Sequence, residues 1–468
     1  MRRTPGLVVV VVLWILLAGC GGSASPTVAP RASCAMVPYS APAWRSGETA
    51  GAVAQSICMS AATAALLAPI GDEARTLGFA VLDDGACDLR ISVALGAQPS
   101  GAAGMPDWSA HRDGYAWTTR VDGAGREVTL FANDARGAHF AAHALLTASR
   151  AAGGMIPSAA ADWPAFATRG VIEGFYNRYF SRDERATTLR LMHALRENTY
   201  LYAPKDDPYA GYQWRDPYPA DAGADVAAAA ALAAQLHVDF LFGISPTLST
   251  NGKDPAASIT FSSSADFAAL LAKLTTLKAL GVQHFALFYD DASNALAHPE
   301  DRAAYPTLAA AHADLANRLA AALDAPLLIV GDYYSSQFAG WQDYNQELGQ
   351  KLSPAVSVMW TGPEVFSTTL APGDLTTVNQ LLGRKVVIWD NWPTSAVPVT
   401  GRDPHLSDAT DAILTNATLV GDFGHPIADF WRVLPPLADY AWSPTTYSAA
   451  NSFASAQSLE PGMVTCAQ

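Results

Sequence analysis

Long apolar runs alternate with amphipathic or alanine-rich segments through the last two-thirds of the chain. Eight runs read as strands, at residues 168–176, 199–205, 238–246, 284–291, 326–334, 356–362, 385–392 and 411–416. Because nearly every position in them is apolar, we expect both faces to be buried, as in a parallel sheet covered by helices. Residues 166–445 are therefore predicted to form a TIM (β/α)₈ barrel. A doubly wound open sheet is the alternative, although no glycine-rich phosphate loop follows any of these strands.

The segments between the runs carry helical patterns. One helix is expected to begin at Ser181, because Glu184 three residues later completes a capping box. Further helices are predicted at residues 222–237, 264–280, 304–323, 373–383 and 425–442. The last of these contains Pro435 and Pro436, which are expected to break or kink it because proline lacks a backbone N–H.

A smaller α+β domain is predicted before the barrel, over residues 35–162. Residues 74–82, 87–96 and 126–134 read as strands or strand ends, and residues 135–152 read as a helix. Asp162-Trp163-Pro164 marks the boundary with the barrel, and residues 446–468 form a C-terminal tail. No group of catalytic residue types stands out in this domain.

The first twenty residues have the pattern of an export signal. A basic start precedes an apolar stretch at residues 7–18 that is too short for a membrane span. Leu17-Ala18-Gly19-Cys20 resembles a lipobox, where cleavage leaves the cysteine lipidated, and an ordinary signal peptide is the alternative. Residues 21–34 read as a flexible tether. We therefore expect an exported lipoprotein, with a lipid anchor on Cys20 as its only membrane attachment.

Charge and cysteine content narrow the class of protein further. The chain has 468 residues and a net charge of -14, which argues against nucleic acid as a partner. Four cysteines follow Cys20, and an even number in an exported protein suggests disulfides. Three connectivities are possible. Pairing Cys34 with Cys466 would join the two ends of the folded part and leave Cys58 with Cys87.

Polar and aromatic side chains accumulate where the predicted strands end, which is where the active sites of such barrels lie. The set comprises Glu173, Gly174, Tyr176, Lys205, Asp206, Asp207, Asp290, Asp291, Asp332, Tyr333, Tyr334, Trp360, Trp389, Asp390, Asn391, Trp392 and Asn416. Aromatic rings stack on the apolar faces of sugars while amides and carboxylates bind hydroxyls, so this set favours a carbohydrate site. The histidines show no metal-binding spacing, and we expect neither a catalytic metal nor a cofactor.

Several motifs at the strand ends occur in a specific order: RGVIEGFY at 169–176, NTYLYAPKDDPY at 198–209, FALFYDD at 285–291, MWTGPEV at 359–365 and VIWDNWP at 387–393. They resemble glycoside hydrolase family 84, the β-N-acetylglucosaminidases that include O-GlcNAcases and bacterial hyaluronidase-like enzymes. The resemblance covers residues 166–442. It implies a retaining hydrolase that acts on a glycan or glycoprotein containing GlcNAc.

The resemblance also implies roles for individual residues. In substrate-assisted hydrolysis the sugar's acetamido oxygen replaces the protein nucleophile and forms an oxazoline, with Asp290 orienting the acetamido group and Asp291 acting as general acid and base. The expected substrate-binding residues are Gly174, Tyr176, Lys205, Tyr333, Trp389, Asn391 and Asn416. Among them, Tyr333 and Trp389 would shape the acetamido pocket and Asn391 would hold Asp290. Residues 205–207 could instead be a solvated charge cluster, and Glu173 and Trp360 are expected to be structural.

Two departures from the family pattern bear on specificity. Ala396 stands where the family usually has an Asp that grips the outer hydroxyls of the terminal sugar, and Asp403 could substitute if its loop folds back. The turn at residues 177–180 also lacks the usual glycine.

Two other glycoside hydrolase families that act on similar sugars fit the sequence less well. Family 18 needs a DxxDxDxE strand, which is absent, and family 20 uses an adjacent Asp-Glu pair where this chain has Asp-Asp. An exported glycan-binding lipoprotein with a degenerate barrel is the alternative function.

Overall fold

The computed structural model describes residues 42–47, 54–83, 85–100, 103–123, 125–151, 156–176, 179–248, 257–393, 400–418 and 427–452. These described residues all belong to one compact unit. The export signal, the tether, Cys20, Cys34, Cys466, Ala396 and most of the C-terminal tail lie outside the described residues. Predictions on these positions stay predictions.

Seven strands form the first sheet. They are β1 (Trp44–Ser46), β2 (Ser56–Met59), β3 (Ala80–Leu82), β4 (Leu89–Leu95), β5 (Tyr115–Asp122), β6 (Gly125–Ala132) and β7 (Ala159–Asp162), in the order β1-β7-β5-β6-β4-β2-β3. Helices α1 (Ala61–Leu66), α2 (Ile70–Thr76) and α3 (Ala135–Ala151) accompany the sheet. The α+β architecture that the sequence predicts before the barrel is confirmed, and α3 coincides with its predicted helix.

A disulfide links Cys58 in β2 to Cys87, two residues before β4. The two Cα atoms are 6.0 Å apart, an ordinary span for such a bridge. Because β2 and β4 are hydrogen-bonded neighbours, the bridge reinforces an existing strand pair. The predicted pairing of Cys58 with Cys87 is therefore confirmed. The pairing of Cys34 with Cys466, which the same connectivity includes, stays a prediction.

Eight parallel strands close into the barrel. They are β8 (Thr168–Glu173), β9 (Thr199–Tyr202), β10 (Asp239–Ile244), β11 (His284–Phe288), β12 (Leu327–Val330), β13 (Val356–Trp360), β14 (Val387–Pro393) and β15 (Ala412–Thr418). Each strand pairs with the next along the chain, and β15 pairs with β8 to complete the ring. The predicted TIM barrel is therefore confirmed, and the open-sheet alternative is wrong.

Helices surround the barrel: α4 (Arg182–Ala194), α5 (Ala220–Gln235), α6 (Ser264–Ala279), α7 (Pro299–Ala304), α8 (Leu308–Leu323), α9 (Trp341–Lys351), α10 (Pro372–Leu382) and α11 (Ile427–Trp442). At the start of α4 the capping box is formed, because the Ser181 and Glu184 side chains each accept a hydrogen bond from the other residue's backbone N–H. No helix in the described part of the chain is both long and apolar enough to cross a bilayer.

Short helices such as α1, α2 and α7 were not predicted, and two longer helices also differ from the prediction. α11 continues through Pro435 and Pro436, so they do not break the helix, and the alternative that they kink it stays a prediction. The buried side chains of Leu434 and Leu437 pack this segment against the rest of the molecule, which compensates for the backbone hydrogen bonds that proline cannot make. α9 is the other difference, because no helix was predicted in its polar sequence.

The barrel strands present alternate residues to their two faces, as strand geometry requires. In β11, Ala286 and Phe288 belong to the cluster that fills the barrel interior. Phe285, Leu287 and Tyr289 belong instead to the larger cluster between the strands and the surrounding helices. Continuing this alternation past the last paired residue indicates which strand-end side chains face the barrel mouth.

Candidate active site

Most of the predicted site residues lie on the inner face of the barrel at one mouth. The interior cluster includes Ile172, Leu201, Phe288, Val330, Trp389 and Leu414. Counting onward in steps of two from these residues reaches Gly174, Tyr176, Lys205, Asp290, Asp332, Tyr334, Asn391 and Asn416. All of them lie at or just beyond the C-terminal ends of their strands, which is where barrels of this class form their active sites.

Asp290 is the buried member of the adjacent pair of carboxylates. Lys205 Nζ donates to its Oδ2 at 2.6 Å, and the lysine side chain is only 2% exposed. The alternative that residues 205–207 form a solvated charge cluster is therefore wrong for Lys205. Burial raises the pKa of Asp290 above its usual range, an effect that Lys205 opposes and Asp291 reinforces. Asp290 Oδ1 has no hydrogen-bond partner among the described residues, so one acceptor remains available to a ligand.

Asp291 lies nearer the solvent, with 33% of its side chain exposed. Its backbone φ of 58° is in the left-handed region, which costs a non-glycine residue conformational energy and is often found at functional sites. This turn takes Asp291 out of the strand alternation and brings its carboxylate between two tyrosines. Tyr176 Oη donates to Oδ2 at 2.7 Å, and Tyr334 Oη donates to Oδ1 at 3.1 Å. Lys205 Nζ is 3.9 Å from Oδ2.

Tyr334, rather than the predicted Tyr333, is the tyrosine that β12 brings to the mouth. Tyr334 packs against the interior cluster and contacts Asp291. Tyr333 belongs to the outer cluster, where its ring lies 4.9 Å from that of Tyr344. The prediction for Tyr333 is wrong because adjacent residues point to opposite faces, and the sequence motif contains two consecutive tyrosines.

A network of amides links three strands beneath the carboxylates. The Gly174 N–H donates to Asn416 Oδ1 at 3.2 Å, and Asn416 Nδ2 donates to Asn391 Oδ1 at 2.9 Å. Trp389 Nε1 donates to the same Asn391 oxygen at 2.7 Å, and Asn391 Nδ2 donates to the Val365 carbonyl at 2.9 Å. The predicted hold of Asn391 on Asp290 is therefore wrong, and Lys205 makes that contact. Asn391 instead orients the indole of Trp389.

Gly174 is required by the close approach of Trp389. A Cβ at position 174 would lie 2.8 Å from the Trp389 ring, closer than side chains tolerate. Trp389 also meets Phe288 edge to face, with ring centroids 5.7 Å apart. The indole therefore forms part of the wall at the base of the mouth, and its role in an acetamido pocket stays a prediction.

Asp332 was named among the strand-end residues but was assigned no role, and it is a third buried carboxyl at this mouth. Its Oδ2 has no hydrogen-bond partner in the described part of the chain. Burial, together with Asp290 and Asp291, raises its pKa to about 7. Asp332 follows Val330 by two residues, just as Asp290 follows Phe288, and these two apolar residues are paired in neighbouring strands. Once the barrel was assumed, the pairing of these strands could have indicated that Asp332 faces inward beside Asp290.

Other acids near the strand ends contact the outer side of the barrel and are structural, and Asp207 departs from the alternation because it lies in the loop five residues after β9. Glu173 accepts hydrogen bonds from Arg185, Tyr200 and the Phe180 N–H, as the expectation of a structural role requires. Asp207 accepts from the hydroxyls of Tyr202, at 2.7 Å, and Tyr218, at 2.6 Å. Asp390 is bonded by both Nε and one terminal nitrogen of Arg402, at 3.1 and 2.5 Å. Trp360 is fully buried in the outer cluster, also as expected.

Asp403 makes its described hydrogen bonds with its own turn and with α11. Its Oδ1 accepts from the His405 N–H at 2.8 Å, and its carbonyl accepts from Tyr440 Oη of α11 at 2.7 Å. Neither bond involves a residue of the mouth. Ala396 and the loop around it lie outside the described residues, so the hypothesis that Asp403 substitutes for the missing family Asp stays a prediction.

A closed (β/α)₈ barrel whose mouth carries paired carboxylates among tyrosines, a tryptophan and amides has the architecture of a glycoside hydrolase. The family comparison makes the assignment specific. The model of the β-N-acetylglucosaminidase family matches residues 169–462, and the chain belongs to this family, glycoside hydrolase family 84.

Individual relatives agree with the family assignment. The chain is 29% identical over 261 residues to the proteins named Protein O-GlcNAcase of Rattus norvegicus and Mus musculus. That match covers 53% of this chain but only 27% of the length of each relative. A mutant of the Thermobaculum terrenum O-GlcNAc hydrolase is similar in structure, with a TM-score of 0.56, 28% identity and 63% of both chains covered. CpGH84B has the same fold, with a TM-score of 0.70, 22% identity, and 88% of this chain and 73% of its own covered.

Proposed function

We propose that the protein is a retaining β-N-acetylglucosaminidase that hydrolyses GlcNAc glycosides by substrate-assisted catalysis. The observation that carries this proposal is the pair Asp290 and Asp291, since the two neighbouring carboxylates differ in burial, partners and direction. Asp290 is buried, ion-paired and has one oxygen without a partner, whereas Asp291 lies at the rim beneath two tyrosine hydroxyls. Such an asymmetric pair suits one positioning role and one proton-transfer role.

In the proposed first step, the acetamido N–H of the substrate donates to Asp290 Oδ1. The acetamido carbonyl oxygen then attacks the anomeric carbon, while Asp291 gives its proton to the departing glycosidic oxygen. In the second step Asp291 takes a proton from water, which opens the oxazoline and restores the acetamido group. Two inversions at the anomeric carbon give overall retention.

Substrate binding also affects the protonation of Asp290. A donor that approaches Asp290 Oδ1 favours its ionised form and lowers the pKa that burial has raised. Lys205 stabilises the same ionised form. The proposed first step requires the proton on Asp291, because from that position it can reach the leaving oxygen.

We further propose that the substrate is a terminal β-linked GlcNAc on a glycan or glycoprotein. This proposal rests on the family and on the names of the relatives, and it needs no cofactor. Trp389, oriented by Asn391, would form the wall against the acetamido methyl group. Gly174, Tyr176 and Asn416 line the same inner face and would bind the sugar.

The test is an assay of the purified protein and its Asp290→Asn and Asp291→Ala variants. The substrates are aryl β-N-acetylglucosaminides with leaving groups of graded acidity. Asp290→Asn should lower kcat/KM with every substrate, by about 100-fold or more. Asp291→Ala should lose far more activity with poor leaving groups than with good ones, because good ones need little acid assistance. Asp225→Asn, on the outer surface of α5, should be unaffected.

Two outcomes would contradict the assignment. Equal activity of the wild type and both active-site variants would remove Asp290 and Asp291 from the mechanism. Normal cleavage of the matching glucoside, which has a hydroxyl in place of the acetamido group, would rule out acetamido participation. Binding of the GlcNAc glycoside without turnover would favour the alternative, a glycan-binding lipoprotein.

Export and lipid anchoring are a separate proposal, carried by the lipobox-like residues 17–20. In bacterial cells producing the full chain, a Cys20→Ala variant should leave the membrane fraction or keep an uncleaved signal, while the wild type fractionates with membranes and carries the added mass of the lipid. An unmodified wild-type chain found in the released fraction would favour the ordinary signal peptide.

A further inference from the structure

Three helices bring a carboxylate and two imidazoles together away from the barrel mouth. Glu73 lies on α2, His139 on α3 and His193 on α4, so the group joins the first domain to the barrel wall. The Glu73 Oε1 atom is 3.2 Å from His139 Nε2 and 3.0 Å from His193 Nε2. All three atoms lie within 4.8 Å of one another.

The other ring nitrogen of each histidine points at a backbone carbonyl. His139 Nδ1 is 3.3 Å from the Leu67 carbonyl oxygen, and His193 Nδ1 is 2.7 Å from the Leu236 carbonyl oxygen. A carbonyl oxygen can only accept, so Nδ1 carries the proton in both rings. In the neutral form of each ring, Nε2 therefore carries a lone pair, and both Nε2 atoms lie within 3.2 Å of the same carboxylate oxygen.

Three lone-pair donors that converge in this way need positive charge between them. Additional protons on both Nε2 atoms could supply it, and His193 Nε2 has hydrogen-bond geometry to Glu73 Oε1 at 3.0 Å, but the geometry at His139 fits a proton poorly. His139 is fully buried, and its Nε2 makes no hydrogen bond among the described residues despite its short distance from Glu73. A proton placed there would be a buried donor aimed away from its acceptor, which is costly. The two rings are also adjacent, with centroids 4.3 Å apart, so two imidazolium charges would repel each other.

A divalent metal ion resolves both difficulties. Zinc binds imidazole nitrogen at about 2.0–2.1 Å and carboxylate oxygen at about 2.0–2.2 Å, so tetrahedral ligands lie about 3.3 Å apart. The two nitrogen–oxygen distances of 3.2 and 3.0 Å are close to that edge. A histidine that donates Nδ1–H to a carbonyl and ligates through Nε2 is also the usual arrangement around metals.

The surroundings support the same orientation of the ligands. His143 Nδ1 is 3.0 Å from Glu73 Oε2, so the second carboxylate oxygen has its own partner and Oε1 is left to the cluster. The ring of His237 lies 5.9 Å from that of His139, and its Nε2 has no hydrogen-bond partner in the part of the chain that the structure describes.

We propose that Glu73, His139 and His193 bind a divalent transition-metal ion that joins the first domain to the barrel. The site is structural and independent of the proposed catalytic function, since its ligands come from helices and not from the strand ends. Because this ion would be structural, the proposal does not conflict with the expectation from the sequence that there is no catalytic metal. The sequence contains no spacing that announces it, because its ligands come from three separate helices.

The experiment uses untagged, chelator-treated protein and titration with ZnCl₂ or CoCl₂. We expect one tightly held ion per chain, a visible Co²⁺ absorption band of the tetrahedral type, and a Tm increase of about 2 °C or more at saturating zinc. His193→Gln should abolish the band and the Tm increase. His405→Gln, an exposed histidine on the barrel, should retain both.

Glu73→Gln is the second variant, because it keeps the size of the side chain but weakens the ligand. It should bind cobalt more weakly than the wild type even if His193→Gln proves too unstable to purify. Failure of the wild type to bind either metal at micromolar concentration would overturn the proposal. Equal Tm increases in the wild type, Glu73→Gln and His405→Gln would also overturn it, since zinc would then act elsewhere.

Discussion

Glu173 and Asp332 are both buried carboxylates at the ends of barrel strands, but they lie on opposite faces of the barrel wall. Glu173 faces the helices, where Arg185 holds both of its oxygens and Tyr200 and the Phe180 N–H add further donors. Asp332 faces the mouth, and its Oδ2 has no partner among the described residues. The two carboxylates are both buried, but the oxygens of Glu173 are fully hydrogen-bonded whereas Asp332 leaves one oxygen without a partner.

This difference in hydrogen bonding distinguishes the structural carboxylates of the barrel from the carboxylates of the candidate active site. Outward-facing Asp207 and Asp390 also have their oxygens occupied by fixed donors, whereas inward-facing Asp290 keeps Oδ1 without a partner. Leaving a buried acceptor unsatisfied costs free energy of folding, so proteins rarely keep one without a use. At a concave mouth lined with aromatic rings, the use that fits is ligand binding.

The largest effect is expected when the outer face is disturbed. Glu173→Gln preserves the shape of the side chain but leaves the buried guanidinium of Arg185 without its counter-charge. The free energy of unfolding, measured by urea denaturation, should fall by about 3–5 kcal/mol. Glu347→Gln, which breaks an exposed pair with Lys351 on α9, should cost less than about 1 kcal/mol. Equal losses in the two variants would contradict the scaffold role.

On the inner face, the loss of Lys205 should impair activity. Lys205→Met removes the cation that opposes the raised pKa of Asp290, so that pKa should rise further and less carboxylate should be available to the substrate. We expect kcat/KM to fall about 100-fold at neutral pH and its acidic limb to move to higher pH. Lys205→Arg should keep the acidic limb near that of the wild type. An identical limb in both variants would indicate that Lys205 acts by packing alone.

Much of this division between the faces could be predicted from the sequence. The apolar runs predicted all eight barrel strands, because strands buried on both faces are continuous and easily recognised. The residues Gly174, Lys205, Asp290 and Asn416 were found because they follow those strands directly. Knowledge of the strands alone did not decide which of two adjacent residues faces inward, and this explains the choice of Tyr333 over Tyr334.

Other features were hidden because they depend on contacts between distant segments. α9 has a polar sequence, and its buried residues Tyr344, Asn345 and Leu348 form only a short stripe. Asn391 is hydrogen-bonded to Trp389 and not to Asp290, and this choice of partner depends on side-chain directions that the spacing of residues does not reveal. The histidine cluster is built from helices far apart in sequence, so no local motif marks it.

A smaller effect with the opposite sign is expected at Asp332. Its pKa of about 7 in the folded protein is above the value of about 3.9 in an unfolded chain, so the folded state binds more protons between these values. The wild type should therefore lose stability as pH rises from about 4 to about 7. Asp332→Asn cannot titrate, and its unfolding free energy should exceed that of the wild type by about 2–4 kcal/mol more at pH 8 than at pH 4, since a pKa difference of about 3 corresponds to about 4 kcal/mol at most. A pH-independent difference would show that Asp332 is not the titrating group.

The smallest effect provides the closest comparison of the two faces, because it involves adjacent residues of one strand end. Tyr334→Phe removes a hydroxyl that donates to Asp291 Oδ1 at 3.1 Å, and kcat/KM should fall about 10-fold, as expected for the loss of one hydrogen bond. Tyr333→Phe changes the outer cluster beside Tyr344 and should leave kcat/KM within about twofold of the wild type. If Tyr333→Phe were instead the more damaging change, the inward direction of Tyr334 and the alternation from which it follows would both be wrong.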